Sequence, residues 1–470
     1  MSQPNILLIL IDDMGWKDIS CMGSEFYETP NIDRLAQEGM TFTSGYASCP
    51  VCSPTRASLL TGKYPARVGV TNWIGGDTKG KLIDAPYVWE LPLEEVSIAK
   101  ALKDAGYATW HVGKWHLGKE PFWPDKHGFD VNVGGCHMGC PHHGYFSPWS
   151  IPTLPDGPEG EYLTDRIGDE TVRLIENHNP ATPFFLNLCF YQVHTPLQAK
   201  PEKIAKYEAK AKAMGLDKVQ THEDGDFYPC EHKKDGRIKR RLVQSHTTYA
   251  AMIESLDENV GKVLDALAAC GMLDDTLIVF TSDNGGLNTS EGSPTCNAPL
   301  TEGKGWTYEG GIREPWLVRW PGVVAAGSTC DEPVTSPDIY PTFLEAAGAP
   351  LRPEQHVDGV SIMPLLKGEK MTRGAIYWHY PHYGNQGGTP GGIIREGDWK
   401  LIEFYEDSHV ELYNLASDIS EQADLAEADP DRAEAMRAKL ALWRAQVGAI
   451  MPKENPDFVP WRERPCGHHN

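Results

Sequence analysis

The chain has 470 residues, a formal net charge of −22 and 40% hydrophobic residues. It is long enough to bury a large core, and its acidity excludes the basic footprint that nucleic-acid binding needs. No apolar run reaches membrane-span length, so no membrane partner is expected.

Met1-Ser-Gln-Pro runs into the first apolar segment without the charged and apolar regions of a secretory leader. A cytoplasmic location is the expectation, unless a leader has been trimmed. The eleven cysteines, odd in number and without a disulfide-scaffold spacing, agree with a reducing compartment. An anionic substrate would have to be met by local cations against the overall field.

Asn5 to Ile11 is a continuous Ile/Leu run, the pattern of a strand covered on both faces, and it ends in Asp12-Asp13. Ligand sites gather at such strand ends, where two adjacent acids call for solvent or a hard cation. Thr29 to Ala36 begins a helix. In Cys52-Ser-Pro-Thr-Arg-Ala-Ser-Leu-Leu-Thr-Gly62, Ser53 reads as an N-cap, Pro54 as the first helical residue and Gly62 as the stop. That places Cys52 at the positive helix end with Arg56 on its face, the setting of a reactive thiol.

Ser97 to Ala105 is an amphipathic helix, and the strand Gly106–Val112 leads to Gly113-Lys114-Trp115-His116, where Lys114 and His116 share a face. Residues 119–165 read as long loops. Within them Cys136-His-Met-Gly-Cys140-Pro-His142-His143 matches no zinc spacing and reads as a structural or substrate-facing loop. Phe184–Phe190 is a buried strand delivering His194, and residues 200–245 are a solvated helical insertion. The 3–4 spacing from Met252 to Leu267 marks a long helix. The strand Thr276–Phe280 ends in Asp283-Asn284, which with Asp12 and Asp13 makes an oxygen-only set suited to Ca²⁺ or Mg²⁺. Glu309 and Arg313, four apart, read as structural. A boundary near residue 370 divides a catalytic domain, 1–370, from a smaller domain, 371–470, with short antiparallel strands and one helix from about 429 to 446.

Cys52-x-Pro-x-Arg56 followed by Leu60-Thr61-Gly62-Lys63 resembles the signature of the type I, arylsulfatase-like sulfatases. Gly106-Tyr-x-Thr-x-x-x-Gly-Lys114-x-His116 and Lys304-x-x-x-Tyr-Glu-Gly-Gly-x-Arg313 resemble further family segments, in family order. Two departures are Thr55, where Ser or Ala is more frequent, and Glu314, where an apolar residue is usual. The resemblance implies an alkaline-phosphatase-like α/β fold with a large mixed sheet flanked by helices, plus a smaller C-terminal α+β domain that completes the substrate pocket.

The resemblance further implies hydrolysis of a sulfate monoester by a Cα-formylglycine made from Cys52 by a maturase. It places Asp12, Asp13, Asp283, Asn284 and the modified Cys52 on Ca²⁺, with Mg²⁺ second. Arg56 would hold the formylglycine hydroxyl, Lys114 and Lys304 would neutralise the sulfuryl oxygens, His116 would be a base and His194 would protonate the leaving alcohol. Trp73, Trp89, His142, His143, Tyr145, His379, His382 and Asn385 fit a sulfated sugar better than a flat aryl group. The expected enzyme is exo-acting on glycosaminoglycans or related glycans, with 4-O-sulfated N-acetylgalactosamine or galactose first. The same metal cradle would serve a phosphate or phosphonate ester hydrolase of the superfamily, and an unmatured Cys52 would leave a sugar-binding pseudoenzyme.

Overall fold

A computed structural model of the chain describes residues 3–460. A nine-stranded mixed sheet forms its centre. The Ile/Leu strand Asn5–Ile11 lies in the middle, parallel to Phe184–Cys189 on one side and to Thr276–Ser282 on the other. Ala108–Gly113 and the short Val131–Val133 extend the sheet in parallel beyond Phe184–Cys189. On the opposite side Arg313–Arg319 runs antiparallel, between Thr276–Ser282 and Met40–Tyr46.

Every residue of Asn5–Ile11 is buried, as its unbroken apolar run requires. Leu7, Ile9 and Ile11 face helices Leu163–Glu176 and Thr247–Ala269, while Ile6, Leu8 and Leu10 face helices Cys52–Thr61, Ile98–Asp104 and Ile339–Ala346. No helix among the described residues is long and apolar enough to cross a membrane.

A second sheet of four antiparallel strands, Ile376–Tyr380, Gly391–Glu396, Trp399–Phe404 and Val410–Asn414, packs under helix Pro430–Val447. The expectation differs from the structure in two places. Residues 200–245 hold a helix, Pro201–Ala213, but also an antiparallel hairpin, His222–Phe227 with Arg237–Arg241. Trp378 and His379 lie in the first strand of the small sheet rather than in a pocket loop.

Candidate active site

Four neighbouring parallel strands send their carboxyl ends to one edge of the large sheet. Asn5–Ile11 delivers Asp12 and Asp13, Thr276–Ser282 delivers Asp283 and Asn284, Ala108–Gly113 delivers Lys114 and His116, and Phe184–Cys189 leads to His194. Helix Cys52–Thr61 points its N-terminus at the same place. It begins earlier than the Ser-Pro pattern indicates: Val51 is the N-cap and Cys52 the first helical residue. Ser53 therefore caps nothing. Its hydroxyl donates to the His116 carbonyl at 3.0 Å and accepts from the Ile74 amide at 3.1 Å, tying three segments together. Gly62 ends the helix in the left-handed conformation, as expected.

Asp12, Asp13 and Asp283 are buried together with Arg56, Lys114 and Lys304. Lys114 Nζ lies 2.6 Å from Asp12 Oδ2, and Lys304 Nζ lies 2.7 Å from Asp13 Oδ2. Arg56 donates to Asp283 Oδ2 from Nε at 2.8 Å and places Nη2 2.7 Å from the same oxygen. Burial opposes ionisation of Asp13, but Lys304, followed by His194 and Lys114, holds its carboxyl below the usual range. At Asp12 burial wins over Lys114, and the nearby Asp283 and Asp13 add to it, so this carboxyl is lifted well above its ordinary value. Asp12 Oδ1 and Asn284 Oδ1 are both buried with no hydrogen-bond partner. One ligand atom each of Asp12, Cys52 and Asp283 lies within 4.8 Å of the others. Such an oxygen-rich set with orphaned acceptors fits a hard divalent cation.

The setting of Cys52 differs from the expected activated thiol. Burial pushes its pKa up against the pull of Lys114 and Lys304, with Asp283 and Asp12 adding to the rise, and the Arg56 guanidinium is committed to Asp283. His116 Nδ1 stands 3.4 Å from Cys52 Sγ, while Nε2 is 3.1 Å from the Ile74 carbonyl. Since a carbonyl only accepts, Nε2 carries the proton and Nδ1 faces Cys52 with its lone pair. Burial and Lys114 hold this ring neutral, well below its usual pKa. His116 has φ 56° and Asp13 has φ 63°, both in the left-handed region that non-glycine residues avoid. Gly139 covers the His116 ring, and a Cβ there would come within 2.5 Å of it. His194 Nδ1 lies 2.8 Å from the Thr195 carbonyl and Nε2 3.7 Å from Asp13 Oδ2. Burial and Lys304 lower its pKa to about 4.

Glu314 is buried, with both carboxyl oxygens unpartnered. Burial, then Asp283, Asp13 and Asp18, push its pKa well up. Glu309 and Arg313 form a buried ion pair at 3.1 Å, the structural role expected of them.

Above Cys52 opens a pocket of about 750 Å³ whose floor includes His116, His194 and Lys304. Trp73, Trp89, His142 and Asn385 line it. The other aromatic and histidine candidates do not. Tyr145 is buried, with its hydroxyl on the Tyr191 carbonyl, and His379 is held by Tyr405 and the Ile450 carbonyl. His382 is bonded to Thr71, and His143 is not part of the lining. Phe122, Glu291 and Gln386 do line it, although no motif marks them. Cys136 and Cys140 belong to no metal-type cluster among the described residues.

Residues 4–349 match the family model described as Sulfatase, and residues 302–446 match the one described as N-sulphoglucosamine sulphohydrolase, C-terminal. A sulfatase of Formosa agariphila is 33% identical over 94% of this chain and 88% of its own length. The N-acetylgalactosamine-6-sulfatase of Mus musculus is 34% identical over 80% of this chain and 68% of its own length. The crystal structure of Ps i-CgsB in complex with k-i-k-neocarrahexaose superposes with a TM-score of 0.74 at 32% identity, covering 94% of this chain and 92% of that one. The chain belongs to the sulfatase family, with its alkaline-phosphatase-like fold. It is accordingly a sulfuric ester hydrolase, cleaving sulfate monoesters.

Proposed function

We propose that the protein removes sulfate from a terminal sugar of a glycosaminoglycan or related glycan, with a 4-O-sulfated N-acetylgalactosamine or galactose as first choice. One observation carries this reading: the buried cation–carboxylate cluster lies at the base of a pocket walled by Trp73, Trp89 and Phe122. Aromatic faces pack against sugar rings, and the cluster receives the anionic group. A relative named N-acetylgalactosamine-6-sulfatase and a neighbour in complex with a neocarrahexaose support the sulfated-saccharide class, while the 4-position and the terminal sugar are our own choice.

The Cys52-x-Pro-x-Arg56 signature at the N-terminus of its helix supports a further element, maturation of Cys52 to formylglycine by a dedicated enzyme. That group would supply a hydrated aldehyde whose hydroxyl attacks sulfur. Calcium, with magnesium second, would be held by Asp12, Asp13, Asp283, Asn284 and the modified residue 52, polarising a sulfate oxygen. Lys114 and Lys304 neutralise the remaining sulfuryl charge, and Arg56 fixes Asp283. His116 offers its Nδ1 lone pair to residue 52 as the base that restores the aldehyde. His194 keeps its Nδ1 proton on Thr195, so its Nε2 first takes a proton from solvent, a step favoured by the substrate's negative charge, and then passes it to the leaving alcohol.

Ion-chromatographic detection of free sulfate from defined sulfated disaccharides tests the proposal. Release from a non-reducing-end sulfated residue, at a rate well above that from the interior of a long chain, is expected. Equal rates on both would contradict exo action.

A further inference from the structure

The pocket is electrically two-ended. Its floor presents Lys304 beside the Asp–Cys52 cluster, whereas its wall carries two carboxylates, Glu90 and Glu291. Lys119, exposed at the mouth, is the other lysine of the lining, which has no arginine. On the Glu291 side Asn385 adds a side-chain oxygen, Oδ1, that has no hydrogen-bond partner.

Glu291 is placed with care. Its backbone is in the left-handed region, φ 55°, which a glutamate adopts only when its surroundings hold it there. Gln386 Nε2 donates to its Oε1 at 2.8 Å, and Thr195 Oγ1 stands 3.5 Å from its Oε2. These contacts join three loops: the one following His194, the one carrying Glu291 and the one between the first two strands of the small sheet. Glu291 lines the same pocket as Lys304 and His194, so it lies near the floor where the sulfate is proposed to sit. Because Glu291 is solvent-exposed, it retains spare acceptor capacity at little desolvation cost.

We infer that Glu291 is a specificity-determining residue: it accepts hydrogen bonds from hydroxyls of the sulfated sugar and repels a second anion. The preferred substrate is then a singly sulfated, otherwise neutral saccharide unit. A unit bearing an additional sulfate or a carboxylate next to the scissile ester is disfavoured. This inference rests on the sulfated-sugar reading above and narrows it to one charge class. A carboxylate discriminates in this way because a like charge brought within a few ångströms is repelled, while a neutral donor is attracted.

The test is a set of kcat/KM measurements on three substrates: a monosulfated neutral disaccharide, the same disaccharide with a second sulfate on the terminal ring, and 4-nitrophenyl sulfate. Wild-type enzyme is expected to favour the monosulfated sugar over the disulfated one by about 10-fold or more. Glu291→Gln keeps the shape and the acceptor oxygen but removes the charge. It is expected to shrink that preference to within about threefold, mainly through KM for the disulfated sugar. The preference is a ratio taken within one preparation, so it does not depend on how much of the variant is active. Equal use of both sugars by the wild type, or an unchanged preference in Glu291→Gln, overturns the inference. Turnover of 4-nitrophenyl sulfate with none of either sugar would instead defeat the sulfated-sugar reading, and the inference with it.

Discussion

Asp283 does two jobs that one substitution can separate. It accepts two Arg56 contacts and the Asp13 amide, and it belongs to a cluster of acids that could hold a divalent cation. Asp283→Ala would strand the buried Arg56 guanidinium, a loss of about 3–5 kcal/mol, and so mixes folding with chemistry. Asp283→Asn keeps an oxygen for Arg56 while removing the charge the metal needs. Calcium content by elemental analysis is expected to drop below about one tenth of stoichiometric, and kcat/KM to fall by about 1,000-fold or more. Full activity with stoichiometric zinc and no calcium or magnesium would contradict this metal assignment. At this scale the sequence is most readable where a side chain follows an unbroken apolar run. Asp12, Asp13, Lys114, His194, Asp283 and Asn284 all lie just beyond strands, and the strand direction dictates that they meet. Glu291 and Gln386 lie on loops without periodicity, whose approach to the site depends on packing between distant segments.

Helix Pro30–Glu38 illustrates how an element can be legible while its anchor is not. Thr29 is the N-cap, yet its side chain makes no capping bond. The cap comes instead from Asp257 on helix Thr247–Ala269, whose carboxylate accepts from the Asn31 and Ile32 amides at 2.8–3.2 Å. Asp257→Ala should cost about 2 kcal/mol by leaving those amides buried and unpaired, measured as a lower thermal midpoint. Burial pushes the Asp257 pKa up to about 6, against the bonds from Ile32 and Asn31. A raised folded value means the folded chain keeps a proton that the unfolded chain releases, so this stabilisation is present below about pH 4 and lost through about pH 6. The midpoint advantage of wild type over Asp257→Asn should therefore shrink as pH rises across that window, then stay level. A constant difference would contradict the assignment. Helix periodicity marks Thr247–Ala269, whereas strand Ile376–Tyr380 carries no clear strand signal, because its Trp and His residues resemble those of a binding loop. They are buried for packing: Trp378 lies against Tyr46 with ring centroids 5.4 Å apart.

Across the whole molecule, the small sheet is joined to the catalytic body by a buried ionic cluster beside the Lys304 loop. Lys400 Nζ lies 3.0 Å from Glu309 Oε1 and 2.7 Å from Glu421 Oε1, and Glu421 Oε2 accepts the Glu309 amide at 2.7 Å. Burial lifts Glu421 to about 8, whereas Lys400 and Arg313 overcome burial at Glu309 and hold it at about 2. Lys400→Met removes the cation shared by both acids, and a loss of about 3–5 kcal/mol is expected, seen as a lower thermal midpoint. Because Glu309 follows Lys304 by one short turn, kcat/KM should fall as well, in the fraction that folds. A midpoint within about 1 °C of wild type would show that the cluster does not join the two sheets in this way. The two-sheet plan was readable from strand spacing. The cluster was not, since Lys400 and Glu421 have no periodic or motif signal that ties them to Glu309.

The central claim is that Cys52 acts only after its CH₂SH group has become an aldehyde. The most direct test compares preparations made with and without co-expressed formylglycine-generating enzyme. In each, mass spectrometry of the peptide spanning residue 52 gives the modified fraction, and specific activity on a sulfate ester is measured on the same sample. Activity should be proportional to the formylglycine fraction, with a line through the origin. Full sulfatase activity in a preparation whose residue 52 is entirely unmodified cysteine would contradict the account.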